Sequence, residues 1–146
     1  MSVLLKIAIY VLSFACYVMT ADAQVAIIAH KDVPAESIGR SGLLDFYLFD
    51  VLSWPSSELD VVICDLRLKG DVKDEFYEYL GKSSSRVKSI WLKRKLAGEG
   101  DPPEFFETEE ELLQYVADTP GAIGFVHLSK VSDRVKVLFR ISNEAG

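Results

Sequence analysis

Apolar residues along this chain follow two patterns that alternate. Residues 25–29 (VAIIA), 61–64 (VVIC) and 122–126 (AIGFV) are unbroken apolar runs bounded by polar loops, as expected of strands covered on both faces. Between them the spacing turns helical. Leu43, Leu44, Tyr47 and Leu48 recur on one face, with Ser41 available as N-cap. Phe76, Tyr79 and Leu80 face inward in a helix over 72–80 that Asp71 would cap and Gly81 would end. A third helix starts near Ser84 and runs to Leu96, directing Val87, Ile90, Trp91 and Leu92 toward the core.

The plainest stretch is 108–126. Thr108 with Glu111 three residues on forms a capping box, and Leu112, Leu113, Tyr115 and Val116 supply an apolar face. Pro120-Gly121 stops this helix before AIGFV. Residues 98–103 (GEGDPP) are turn chemistry, and the loop at 53–57 surrounds Trp54. In 135–141 the pattern changes to strict alternation, with Val135, Val137, Phe139 and Ile141 on one side and Lys136 and Arg140 on the other. Only this strand alternates, which places it at a sheet edge. Strands alternating with helices predict an α/β domain with a mostly parallel sheet, helices on both faces and right-handed crossovers.

The N-terminal residues do not join that scheme. Lys6 followed by an apolar run over 7–19 and Ala21-Asp22-Ala23 has the layout of a secretory signal, with cleavage expected after Ala23. The run is shorter than a membrane span needs, so an uncleaved anchor is the lesser alternative. Acylation of Cys16 is disfavoured, since Ser13 stands where a lipid-attachment site usually carries Leu. Residues 24–146 then form one periplasmic domain. The net charge of −6 argues against nucleic-acid binding. Removal of Cys16 leaves Cys64 alone in an apolar strand, where it packs as a small hydrophobe.

Ligands of open α/β sheets collect beyond the carboxyl ends of the strands, where helix N-termini present backbone N–H groups. The loop over 65–71 is such a place, and Arg67 and Lys69 there suit an oxyanion, with Gly70 allowing close backbone approach. The alternative is a solvated loop with Asp65 and Asp71 as charge partners. Trp54 is either a packed anchor or a stacking platform beside that loop. His30 and His127 each follow a strand, and parallel pairing would bring them to one sheet edge. Without a ligand-spaced acid or cysteine they do not predict a metal site. The acids at Glu107, Glu109, Glu110 and Glu111 fit the helix dipole, and no constellation suggests an enzyme or a cofactor. Arg86, Lys88, Lys93, Arg94 and Lys95 make a basic helix face, either solvated or open to a partner, to self-association or to anionic headgroups.

Three segments carry a resemblance. Thr119-Pro120-Gly121-Ala122-Ile123-Gly124-Phe125, LLDFYLFDVLSW over 43–54 and DEFYEYLGKS over 74–83 are similar, in order and spacing, to the solute-binding proteins of phosphate-type ABC transporters and their short single-lobe relatives. The resemblance implies one lobe of a type 2 periplasmic binding protein, a phosphate-like ligand, and a transporter or envelope protein as partner. It places the ligand loop at Arg67, Lys69, Gly70, Asp71 and Val72, with Trp54 nearby. Gly70-Asp71-Val72 fall on the family's serine-glycine-threonine run, so an acid and an aliphatic residue replace hydroxyl ligands. The segment bearing the full-size family's further phosphate loop has no counterpart before Val25. A non-catalytic interaction or scaffold protein that kept the fold and lost the ligand is the alternative.

Overall fold

The computed structural model describes residues 24–142, so the expected signal segment lies outside the described residues. Five strands, β1 (Val25–Ala29), β2 (Val62–Leu66), β3 (Glu104–Phe106), β4 (Ala122–His127) and β5 (Lys136–Ile141), form one sheet in the order β3-β2-β4-β1-β5. The strands β3, β2 and β4 run parallel, while β1 is antiparallel to both β4 and β5. Among the described residues four α-helices accompany it: α1 (Arg40–Tyr47), α2 (Asp71–Leu80), α3 (Ser84–Leu96) and α4 (Glu109–Asp118).

Every residue of β1 is buried, as its unbroken apolar run requires of a strand between two others and covered on both faces. Adjacent residues of β4 show what covers the sheet. Phe125 stacks on Phe76 of α2 with ring centroids 4.0 Å apart, whereas a Cβ on Gly124 would lie 2.7 Å from Leu112 of α4. Successive strand residues point to opposite faces, so α2 and α4 sandwich the sheet.

The alternating strand does form an edge, but its inward face is not the regular one expected. A bulge opposite Ile27 and Ile28 inserts Leu138 between Val137 and Phe139. The buried positions become Val135, Leu138 and Ile141. The histidines also end apart. Antiparallel pairing sets Val25 against His127 and Ala29 against Ile123, so His30, just past β1, and His127, the last residue of β4, lie at opposite ends of the sheet.

Helix starts reveal which local signals prevailed. Thr108 caps α4 through its hydroxyl and Glu111 N–H (3.2 Å), and Glu111 reaches back to the N–H of Glu107 (3.3 Å). Ser83 caps α3 in the same way, and Gly81 ends α2 in the left-handed region at φ 73°. Ser41 does not cap α1, which begins one residue earlier after Gly39. Arg40 decides that start, because its guanidinium donates to the carbonyls of Tyr79 and Leu80 at the tail of α2 (2.9 and 3.0 Å). In α3, Val87 and Trp91 are buried but Leu92 is not. One residue past Trp91 is about 100° further round the helix.

Gly121 fixes the turn into β4 at φ 83°. Its carbonyl accepts from Val62 N–H at the start of β2 (3.1 Å) and from Trp54 Nε1 (3.0 Å). An added Cβ would meet the Asp60 carbonyl oxygen at a clashing separation. Gly121→Ala is therefore expected to cost roughly 2–4 kcal/mol, the sum of left-handed strain and overpacking against backbone, read as a lowered urea midpoint. The buried core is built within residues 25–141, so a chain beginning at Gln24 is expected to unfold in a single cooperative thermal transition. A broad, non-cooperative melt by circular dichroism would contradict this.

Candidate functional site

Parallel neighbours β2 and β3 end side by side, and each leads into a helix. From β2 the chain passes through Arg67, Leu68, Lys69 and Gly70 into α2; from β3 it passes through Glu107 and Thr108 into α4. A cleft of about 300 Å³ lies between the two helix starts. One wall holds Lys69, Gly70, Asp71, Val72 and Lys73, and the other holds Glu107, Thr108, Glu109, Glu110 and Lys130.

The two walls differ in how their helices are capped. At α4 the Thr108 hydroxyl takes one N–H, and three glutamates occupy the first turn. At α2 the cap is Gly70 with no side-chain hydrogen bond, so Asp71 does not act as the expected cap but is the first helical residue. The first-turn N–H groups of Asp71, Val72 and Lys73 have no intrahelical acceptor. They are open donors at the cleft, as are those of Glu109 and Glu110, since Thr108 takes only the Glu111 N–H.

The cations around those donors are mostly engaged. Arg67 Nε pairs with Glu107 Oε1 at 2.8 Å, joining the two loops across the rim, and its guanidinium lies 5.8 Å from the centre of the Phe105 ring. Lys130, in the 3-10 turn Leu128–Lys130, reaches Glu110 (2.5 Å) and Glu109 (3.6 Å). Its hydrogen bond holds the Glu110 carboxyl below the usual range. Glu109 Oε1 also accepts from the His127 backbone N–H. Lys69 makes no ion pair among the described residues.

Asp65 is not the solvated loop residue that the sequence suggested. The strand β2 runs two residues further than its apolar run, carrying Asp65 inside at zero exposure. Its Oδ1 accepts from Leu66 N–H (2.8 Å) and its Oδ2 from the Tyr77 hydroxyl (2.7 Å). Lys73, 3% exposed, donates from Nζ to the Leu66 carbonyl and sits 3.7 Å from Asp65 Oδ2. Burial pushes the Asp65 carboxyl up, opposed by Tyr77 and Lys73, and pushes the Lys73 amine down, opposed by Asp65. Of this Asp65–Lys73–Tyr77 cluster, Lys73 lines the cleft, and Asp65 lies buried behind it. The i, i+4 spacing of Lys73 and Tyr77 was the available signal for that pair.

Of the sequence-predicted site residues, Lys69, Gly70, Asp71 and Val72 line the cleft and Arg67 stands at its rim. Trp54 is elsewhere. It is 1% exposed, packs edge-on against Phe46, and bonds to Gly121 at the amino end of β4, whereas the cleft lies at the carboxyl ends of the parallel strands. Cys64 is fully buried, and burial pushes its thiol far up. Among the described residues no group of three or more His, Cys, Asp or Glu could hold a metal, and no helix is long and apolar enough to cross a membrane.

This fold occurs in known proteins. Over 80% of its length the chain matches a protein described as a phosphate ABC transporter substrate-binding protein, solved with bound phosphate, from Clostridium perfringens (TM-score 0.64, 19% identity, 45% of that chain). The chain carries the fold of one lobe of such a protein. An ABC-type phosphate transport receptor from Vibrio cholerae gives TM-score 0.63 at 15% identity, with 80% of this chain and 46% of that one covered. PstS from Borrelia burgdorferi gives 0.62 at 11%, covering 82% and 48%. The chain thus spans less than half the length of these receptors. No protein-family model and no curated protein sequence matches it.

Lys73→Met would leave Asp65 buried as an anion without its cation, at an expected cost of roughly 3–5 kcal/mol near neutral pH. Because the folded pKa of Asp65 lies above its unfolded value, protonation relieves that cost, so the deficit shrinks as pH falls. Adding Asp65→Asn to Lys73→Met is expected to recover part of the loss at neutral pH. Urea midpoints of the single and double variants at neutral and acidic pH check both statements.

Proposed function

We propose that this chain is an exported, non-catalytic binding module whose β2–α2 loop takes one side of a small oxyanion such as phosphate, in connection with ABC transport. The observation that carries this reading is the uncapped start of α2 at Gly70, beside Lys69 and at the carboxyl end of a parallel strand pair. Both α3 and α4 have side-chain caps, whereas α1 and α2 start after bare glycines, and of these two starts that of α2 lines the cleft. Fold likeness to a protein solved with bound phosphate supports the choice of anion. Arg67 would exchange Glu107 for the ligand, and Asp71 limits affinity by placing a carboxylate beside the same donors. Export rests on the signal-like residues 1–23, with cleavage after Ala23 and a periplasmic mature chain. A transporter or envelope protein supplies the remaining contacts.

A second reading follows from the Arg67–Glu107 pair and the three glutamates opening α4. These satisfy the cleft from within, as expected of an interaction or scaffold module that kept the fold and lost the ligand.

Isothermal titration of the chain from Gln24 with phosphate, sulfate and molybdate separates the readings. Saturable heat, weakened roughly tenfold or more by Arg67→Ala through loss of a charge-assisted hydrogen bond and strengthened by Asp71→Ser, is expected for the binding module. Absence of heat from a folded sample would leave the scaffold reading.

A further inference from the structure

The outer face of α3 carries a pattern that neither the core nor the cleft uses. At about 100° per residue, Ser85, Ser89, Leu92 and Leu96 fall in one stripe, and Leu92 and Leu96 are 60% and 80% exposed. Lys88 and Lys95 border the stripe on one side, Arg86 and Lys93 on the other, all exposed. The helix contains no acid. A chain of net charge −6 has thus gathered five cations in one helix of 13 residues.

Helix stability accounts for only some of them. Arg94 is held by Asp50 and Glu99, Lys88 lies 6.0 Å from the centre of the Phe105 ring, and Lys93 and Lys95 complement the carboxyl end of the helix dipole. Arg86 stands in the first turn, where a cation opposes that dipole, and makes no ion pair among the described residues. The exposed leucines leave most of their apolar surface uncovered by the domain beneath them.

We infer that this face docks the domain on an anionic lipid surface. Leucines between flanking lysines suit a helix lying along a headgroup layer, with the apolar side chains at the acyl boundary and the ammonium groups among the phosphates. A protein partner fits less well, because interface centres are rich in aromatic residues and poor in lysine. A second copy of this chain would have to meet the patch with acids other than three of those at the cleft, where Glu107 is matched by Arg67 and Glu109 and Glu110 by Lys130. Val87 and Trp91 stay packed in the core, so the contact is peripheral and salt-sensitive rather than an insertion.

Co-sedimentation of the chain from Gln24 with phosphatidylcholine vesicles, with and without phosphatidylglycerol, tests this. Binding is expected only when phosphatidylglycerol is present, and it should fall as salt rises. Lys93→Glu/Lys95→Glu should weaken it roughly tenfold or more, at about tenfold per 1.4 kcal/mol and about 1 kcal/mol per cation near such a surface. Leu92→Ser/Leu96→Ser should weaken it while leaving its salt dependence in place. All four positions are exposed, and circular dichroism verifies that both variants fold. Equal sedimentation with the two vesicle types, or binding unchanged in both variants, would overturn the inference. So would a concentration-dependent dimer abolished by the same charge reversals, which would make the face a contact between copies.

Discussion

The centre of β4 sets the geometry of the whole domain. Phe125 presses its ring flat on Phe76 of α2, and the next position back, Gly124, has no side chain because Leu112 of α4 occupies that space. One strand thereby holds a helix on each face of the sheet. Since α2 follows β2 and α4 follows β3, and those strands are parallel neighbours with β4 beyond, both helices must begin at the same sheet edge. The cleft is a product of that packing rather than of any residue lining it.

Behind the cleft, the domain keeps a polar cluster where an apolar one would be easier to bury. Asp65 and Lys73 are both shifted by burial toward their neutral forms, so their ionisation works against folding, and the hydrogen bonds around them offset the cost. What the cluster supplies is position. Lys73 grips the carbonyl of Leu66, the last residue of β2, from within the first turn of α2. The loop between them is therefore fixed at both ends, with Arg67 tied to Glu107 and only Leu68, Lys69 and Gly70 left to present themselves.

Elements governed by local chemistry were legible in the sequence: the capping box at Thr108, the glycine stop at Gly81, the turn at Gly121 and the fully buried β1. Where tertiary contacts decided, the sequence was silent. Arg40 starts α1 because of carbonyls in α2, and β3 exists because residues 104–106 pair with β2 although three residues carry too little pattern to read. The sense of β1 reversed the relation of His30 to His127. In the candidate site, the loop from Arg67 to Val72 was legible from its place after a strand. Trp54 was not, because a loop tryptophan reads alike whether it packs in the core or beside the cleft. Asp65 and Lys73 read as surface charges, because the i, i+4 spacing of Lys73 and Tyr77 puts those two on one helix face without pointing to Asp65.

Cys64 lies at the middle of β2, where its backbone pairs with β3 and its Cβ lies against Gly124 of β4. It is the only cysteine in residues 24–146, it is fully buried, and its thiol is held in the protonated form. A thiol reagent can reach it only when those parallel strands part. The rate at which Cys64 is labelled is thus a clock for whole-domain opening, and ligand or lipid that binds the closed domain should slow that clock without touching the cysteine.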